Sequence, residues 1–218
     1  MRRTLLSLLI AFSVAGAGAA MAADDISKIN GTASVDAGQT AGDVHTVNGS
    51  VKIGARATVE KASTVNGSID LAEGATATEV STVNGSVSLH PQTRVSEDLH
   101  TVNGRVQLER GADVKGKLSN VNGEISLDGA HVGGGIETVN ANITLDGGAK
   151  VEGGILVKKP RMGWHSSNDK IPTIVIGPHA VVQGPLTFEH EVNLYVSASA
   201  KVGKIEGATP QSFSGSAP

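Results

Sequence analysis

The chain has 218 residues with no cysteine, only 2% aromatic residues and a formal net charge of −3 at pH 7. The lack of cysteine excludes a disulfide framework, a thiolate metal site and a lipid-modified N-terminal cysteine. Mild acidity and scarce aromatic side chains argue against nucleic-acid binding, which calls for a basic stripe and stacking platforms.

The first segment of the chain reads as an export signal. Arg2 and Arg3 form a positive n-region, and an apolar run at 5–14 precedes the small-residue cleavage pattern Ala20-Met21-Ala22. We therefore predict a signal peptide at 1–22 and a mature chain that starts near Ala23, in the periplasm, at the outer membrane or on the cell surface. The apolar run is shorter than the roughly 20 residues of a spanning helix, so no stable membrane span is expected after cleavage. The alternative is an uncleaved anchor.

A short phrase then recurs seven times, in the form Thr64-Val65-Asn66-Gly67. The asparagines of the seven copies are Asn30, Asn48, Asn66, Asn84, Asn103, Asn122 and Asn140. The steps between them are 18, 18, 18, 19, 19 and 18 residues. A nearly constant period over most of a chain is typical of stacked copies of one structural unit.

Each unit carries three short apolar stretches separated by polar or glycine-containing corners. Val51 and Ile53 alternate with polar residues, Val44 and Val47 bracket the start of the phrase, and Val59 stands late in the unit. Alternation of this kind predicts strands with one buried face. The pattern predicts an all-β, single-stranded parallel β-helix of about nine coils, with 18–19 residues per coil and a right-handed turn. The predicted solenoid spans residues 23–206, with regular repeats at 26–154.

The Asn-Gly pair allows a second interpretation. Asn-Gly between alternating apolar residues is also a strong hairpin signal, so seven hairpins in an antiparallel meander or a propeller-like sheet are the rival fold. In a solenoid the same pair turns a corner, and the stacked asparagines are expected to form a hydrogen-bonded structural ladder.

The segment at 157–170 breaks the repeat. It is polar and basic and contains the single tryptophan, so it is predicted to be a projecting loop. Lys159, Arg161, Trp164 and His165 form a candidate ligand-binding group, because exposed aromatic and cationic side chains are common at binding hot spots. The alternative is that Trp164 folds back over an open side of the core. Irregular terminal coils at 171–206 and a flexible Gly/Ser/Pro tail at 207–218 are expected to follow.

Two stretches resemble known families. The repeat Thr64-Val65-Asn66-Gly67-Ser68-Ile69-Asp70-Leu71 resembles the V-N-G repeats of the bacterial adhesin-type family of exported envelope proteins. The segment 174–184, from Ile174 to Gly184, is similar to a winding of the polymer-forming bactofilins. These resemblances imply a parallel β-helix with a structural or adhesive role. The export signal departs from bactofilins, which act on the cytosolic side of the membrane.

A search for reactive groups yields little. His45 and His100 share a repeat position but are three coils apart, about 14 Å, which is too far for a common zinc ion. The strongest acidic pair is Asp128 and Asp146, each followed by glycine, and a turn role is expected for both. We therefore predict no catalytic residue, no metal site and no cofactor.

A row of threonines leaves two alternatives open. The row comprises Thr46, Thr64, Thr82, Thr101 and Thr138. If this row and the asparagine row two residues on both point outward, they form a flat polar array for a repetitive ligand such as glycan or ice. If they do not, they form a hydrogen-bonding ladder within the stack.

The predicted function is that of a non-enzymatic exported solenoid, a structural or adhesion module of the cell envelope. One alternative is a bactofilin-like scaffold that polymerises end to end, and another is a β-helix that binds or degrades polysaccharide. The expected partners are a glycan, another envelope protein or a second copy of the chain.

Overall fold

The computed structural model describes residues 24–160 and 171–218. The predicted signal peptide therefore lies outside the described residues, as do Arg161, Trp164 and His165 of the predicted loop. Within the described residues the chain forms 24 β-strands and no helix.

The strands of the N-terminal half are β1 Ile26–Asn30, β2 Ala33–Val35, β3 Thr40–Asn48, β4 Val51–Ile53, β5 Thr58–Asn66, β6 Ile69–Leu71, β7 Thr76–Asn84, β8 Val87–Leu89, β9 Arg94–Val95, β10 Leu99–Leu108 and β11 Asp113–Val114. Those of the C-terminal half are β12 Leu118–Asp128, β13 His131–Val132, β14 Ile136–Thr138, β15 Asn142–Asp146, β16 Lys150–Val151, β17 Ile155–Val157, β18 Thr173–Ile176, β19 Val181–Val182, β20 Leu186–Phe188, β21 Asn193–Ser197, β22 Lys201–Val202, β23 Ile205–Glu206 and β24 Gln211–Phe213.

The strands stack as a parallel β-solenoid, which confirms the predicted fold class. Every strand pairing is parallel and joins one coil to the next, as where Val44 of β3 lies opposite Ala62 of β5. The antiparallel meander and the propeller are therefore wrong. The solenoid has about ten turns rather than nine. The hand of the coil stays a prediction.

Each of the first nine coils has three faces, which we number from the start of the repeated phrase. The first residue of the first face in each coil is Ile26, Val44, Ala62, Val80, Leu99, Leu118, Ile136, Ile155, Leu186 or Ile205. The first corner, which holds Asn-Gly, leads to the second face. The second corner leads to the third face, and the third corner leads to the next coil. Coils one to seven carry the repeated phrase, and coils eight to ten follow it.

The core is a column of stacked aliphatic side chains. Leu71, Leu89 and Leu108 of the second face are 0% exposed, and Val95 and Val114 of the third face are equally buried. The predicted apolar pairs of the second and third stretches therefore point inward, as strand alternation requires. The first face differs from the prediction, because Val44 is buried whereas Val47 is only half-buried and Thr46 takes the inward position.

The change from an 18-residue to a 19-residue period has a local cause in the third corner. Two residues, Thr78 and Glu79, join Ala77 to Val80 in coil three, whereas three residues at 96–98 join Val95 to Leu99 in coil four. A later coil returns to 18 residues because its second corner holds only Asp128 and Gly129. Both changes in length occur in the corners. The pairing register between equivalent faces of successive coils is therefore unchanged.

Coils eight and nine keep the three faces and coil ten keeps the first two, β23 and β24, but all three coils lose the Asn-Gly corner. In coil eight the first face ends with β17 at Val157 and the second face begins with β18 at Thr173, and in coil nine residues 189–192 replace the corner. The last strand, β24, pairs with β21, so the solenoid extends past residue 206 into the segment predicted to be a flexible tail. Phe188 occupies the inward position that belongs to threonine in earlier coils and is 5% exposed.

Candidate functional surfaces

The seven asparagines of the repeated phrase lie in one continuous row along the first corner. The side-chain amide of each asparagine donates to the side-chain oxygen of the asparagine one coil earlier, with N–O distances of 2.9–3.2 Å from Asn48 to Asn140. An amide has two N–H donors and two acceptor lone pairs, so the ladder uses about half of its capacity. The outer side of the row therefore presents regularly spaced amide groups to solvent.

The glycine of the phrase is required by the closeness of successive coils. A methyl group at Gly67 would overlap the carbonyl oxygen of Gly49 one coil earlier, and Gly85 is in the same position relative to Gly67. Only glycine permits such an approach of two backbones. The ladder and the glycine row thus belong to one tightly stacked corner.

The threonine row is buried, so it is not an exposed ligand-binding array. Thr46, Thr64 and Thr82 are at most 3% exposed, and each hydroxyl donates to a glycine carbonyl of the preceding coil. The distance from Thr64 Oγ1 to the Gly49 carbonyl oxygen is 2.9 Å. Asn120 takes over the role in coil six by donating to the carbonyl of Gly104. These side chains donate hydrogen bonds to carbonyl groups of the first corner. The row therefore matches the second interpretation, a set of hydrogen bonds within the stack.

A row of apolar side chains faces outward between the threonine and asparagine rows. It consists of Ile29, Val47, Val65, Val83, Val102, Val121 and Val139. Ile29 is 72% exposed and Val83 is 41% exposed. The sequence prediction assigned Val47 to an apolar stretch with one buried face. That prediction was wrong because the hydroxyl of the preceding threonine is needed inside, and alternation then turns the valine outward.

Of the four predicted ligand-binding residues of the loop, only Lys159 lies among the described residues. The backbone N–H of Lys159 donates to Glu189 Oε2 at 3.0 Å, which ties the start of the segment to the corner of coil nine. Arg161, Trp164 and His165 lie outside the described residues. The two interpretations of Trp164 remain predictions.

Two histidines are held between carboxylates of neighbouring coils, an arrangement that sequence reasoning missed. His90 Nε2 lies 3.2 Å from Asp70 Oδ2, and His90 Nδ1 lies 3.3 Å from Glu109 Oε1. His131 is similarly placed, 2.6 Å from Asp113 Oδ1 and 3.3 Å from Glu152 Oε1. Partners separated by about one coil length in sequence, 18 to 21 residues, were the signal that could have revealed both groups.

The surroundings of His90 change its pKa. Burial is the largest single influence and lowers the pKa, but the hydrogen bonds and charges of Glu109 and Asp70 together outweigh it. The net result is a raised pKa for His90, because the two carboxylates favour the charged imidazolium.

His45 and His100 form a different type of contact. The Nδ1 atom of His45 lies 3.0 Å from Ser63 Oγ, and that of His100 lies 2.7 Å from Ser119 Oγ. Each pair joins adjacent coils on the outer side of the first face. The structure does not bring the two histidines together, in agreement with their separation by three coils.

The acidic pair Asp128 and Asp146 lies in register on adjacent coils. Asp146 Oδ1 accepts a hydrogen bond from the backbone N–H of Gly147 at 2.7 Å, which stabilises the second corner. Asp128 lies 3.7 Å from Arg110 and is exposed. Both side chains occupy a convex corner, a poor location for two carboxylates that must enclose a substrate.

A shallow groove of about 280 Å³ lies over the third corner of the later coils. Its lining includes Gly134, Gly135, Gly153, Gly154 and Glu137. The Glu137 carboxylate pairs with Lys158 and with Lys117, the latter at 3.3 Å. The hydrogen bond from Lys158 is the largest of the effects that hold the pKa of Glu137 below its usual value.

Comparison with known proteins identifies no relative. No family model, no curated protein and no solved structure matches the chain. Within residues 24–160 and 171–218 no helix is long and apolar enough to cross a membrane. The same residues contain no group of three or more histidine, aspartate or glutamate side chains arranged to hold a metal ion.

Proposed function

We propose that the protein is an exported, non-enzymatic module of the cell envelope, with a structural or adhesive role. The observation that supports this most directly is the continuous stack of about ten coils with a repeated outer surface. At about 4.8 Å per coil, the stack is a rod of roughly 45 Å. Such a rod separates what is attached to its two ends and displays the same chemical groups at regular intervals along its sides.

The outer surface favours recognition of polar, uncharged groups over recognition of nucleic acid. The asparagine ladder offers spare amide donors and acceptors, and the adjacent valine row offers a narrow apolar strip. Amide groups beside apolar surface are suited to a glycan or to the polar face of another envelope protein. Acidic residues outnumber basic ones, 21 to 18 in the whole chain, which disfavours a polyanionic partner.

Export is tested by expressing the full chain in a Gram-negative host and fractionating the cells. We expect the protein outside the cytosol, with an N-terminus at Ala23 or Asp24 by mass spectrometry. Leu8→Arg, which interrupts the apolar run of the signal, is the matched variant and is expected to stay in the cytosol uncleaved. A wild-type chain retained in the cytosol with residues 1–22 intact would contradict the proposal.

Envelope binding is tested by sedimentation of the purified chain from Ala23 with isolated peptidoglycan and with outer-membrane vesicles. The chain is expected to pellet with one of the two preparations. Asn66→Ala with Asn84→Ala removes the centre of the ladder and should reduce the bound fraction, whereas Lys52→Ala on the second face should not. If the wild-type chain and all variants remain in the supernatant, the proposed adhesive role is contradicted.

A further inference from the structure

The first coil departs from the repeat at one inward position, and that departure concerns the end of the stack. Lys28 lies opposite Thr46 in the strand register, so it occupies the position that threonine fills in most of the following coils. Those threonines are at most 3% exposed, whereas Lys28 is exposed. The Lys28 ammonium donates to the backbone carbonyl of Thr32 at 2.5 Å, on the same coil.

The outer edge of the first coil is a strand edge that other chains can use. Among the described residues, β1 pairs only with β3 and β2 pairs only with β4. The opposite edges of β1 and β2 therefore have backbone donors and acceptors with no strand partner among the described residues, whereas the inward side chains Ala33 and Val35 are already buried. Exposed edges of this kind promote pairing with a second chain.

We propose that Lys28 prevents the N-terminal end of the solenoid from stacking on a second copy of the chain. If two such ends met, Lys28 would enter the dry column between the coils without a carboxylate partner, and burial of an unpaired charge is strongly unfavourable. An inward-pointing lysine is one of the devices by which proteins protect strand edges. The inference deepens the proposed function, since it makes the exported module a monomer rather than a dimer joined at its N-terminal ends.

The C-terminal end is protected in another way. Ser212 of β24 lies opposite Val196, so a polar side chain stands in the column that leucine and isoleucine fill in earlier coils. Pro210, directly before β24, has no backbone N–H to offer a further strand. Removal of the Lys28 charge therefore frees one end only. Because two identical ends then meet, the expected product is a closed two-fold dimer and not a filament.

The test is light scattering coupled to size exclusion on the chain from Ala23 onward, which contains all the described coils. Lys28→Thr restores the repeat, and Lys28→Gln removes the charge with little change in length. We expect the molar mass of both variants to rise toward that of a dimer at about 100 µM, a concentration near the dissociation constant of a dimer of modest affinity. Lys28→Arg keeps the charge and should remain monomeric, as should Lys52→Thr, which changes an outward lysine of the second coil.

Two outcomes would overturn the proposal. One is a folded Lys28→Thr or Lys28→Gln variant that keeps the wild-type mass, with folding checked by circular dichroism. The other is a wild-type chain that already dimerises or forms filaments. Should Lys28→Thr fail to fold, Lys28→Gln decides the question. These results are independent of the fractionation and sedimentation experiments, so failure of the proposed function and failure of this inference are distinguishable.

Discussion

Coils one to seven and coils eight to ten continue the same faces of one stack, but the first corner is stabilised differently in the two regions. In the early coils a buried threonine hydroxyl donates to a glycine carbonyl of the corner, and the asparagine side chains hydrogen-bond from coil to coil. Glycine at the corner allows the two backbones to approach closely. In the later coils Val157 and Phe188 fill the inward position of the threonine, and the corners have different lengths. A polar ladder needs the same groups at the same height in every coil, whereas apolar packing tolerates an insertion. This difference explains why the repeat is strict in one region and absent in the other.

The largest expected effect on stability comes from the apolar packing of Phe188 in coil nine. Phe188→Ala should lower the free energy of unfolding by about 3–5 kcal/mol, since a nearly fully buried aromatic side chain leaves a cavity. Urea unfolding followed by circular dichroism measures the change. Ile171→Ala, at a position that is 42% exposed, is the control and should cost little. A Phe188→Ala loss below about 1 kcal/mol would mean that the later coils are not held by this packing.

The second largest expected effect on stability is a steric clash between early coils. Gly67→Ala should destabilise the protein by about 2–3 kcal/mol, because the new methyl group overlaps the carbonyl oxygen of Gly49. Hydrogen exchange should place the loss of protection in coils two to four. Gly38→Ala is the matched control for steric contact, since no atom lies within 4 Å of a Cβ there, although its positive φ adds a smaller backbone cost. If Gly67→Ala is the milder of the two, close approach of the coils is not the reason for the glycine.

A third prediction separates the threonine hydrogen bond from threonine packing. Thr64→Val should cost about 1–3 kcal/mol, because it leaves the Gly49 carbonyl without its donor. The buried hydroxyl of Thr101 has no hydrogen-bond partner among the described residues, so Thr101→Val should be nearly neutral or stabilising. The two variants are isosteric and differ by two coils in position. Equal costs in urea unfolding would show that burial of the side chain, and not the hydrogen bond, matters.

A fourth prediction concerns the second corner, where most coils place a residue in the left-handed conformation. Gly74 and Gly111 do so at no steric cost, whereas Arg56 has a φ of 56° and Gln92 a φ of 62°. Arg56→Gly should stabilise the protein by up to about 1 kcal/mol, as relief of the strained backbone exceeds the added entropy of the unfolded chain. A Tm below that of the wild type would contradict this expectation, and Lys52→Gly in a regular strand, which should lower the Tm, is the control.

The smallest expected effect is pH-dependent. The pKa of His90 is raised in the folded state, so its ion pairs stabilise the protein fully below the unfolded value of 6.5 and cease to do so as pH rises through the folded pKa. The stability difference between wild type and His90→Gln should therefore be larger at about pH 5.5 than at about pH 8.5. The contribution of Glu137 to stability depends on pH in the opposite direction. Because its pKa is lowered in the folded state, that contribution is lost as pH falls. A difference for His90→Gln that grows with pH would refute the assignment.

The amino-acid sequence alone determined the solenoid, its coil length and the positions of the asparagine row, since a period of 18 or 19 residues with alternating apolar side chains leaves few other folds. It also identified the inward pairs of the second and third faces. It misjudged the first face, because Thr46 points inward, where its hydroxyl donates to the Gly31 carbonyl one coil away, and Val47 therefore points outward. Tertiary structure alone decided that the threonines are buried, that His90 and His131 lie between carboxylates, and that Lys28 occupies a threonine position. The physical reason is common to all three: each depends on contacts between residues about one coil apart, and a side chain's partner across that distance is set by the register of the stack.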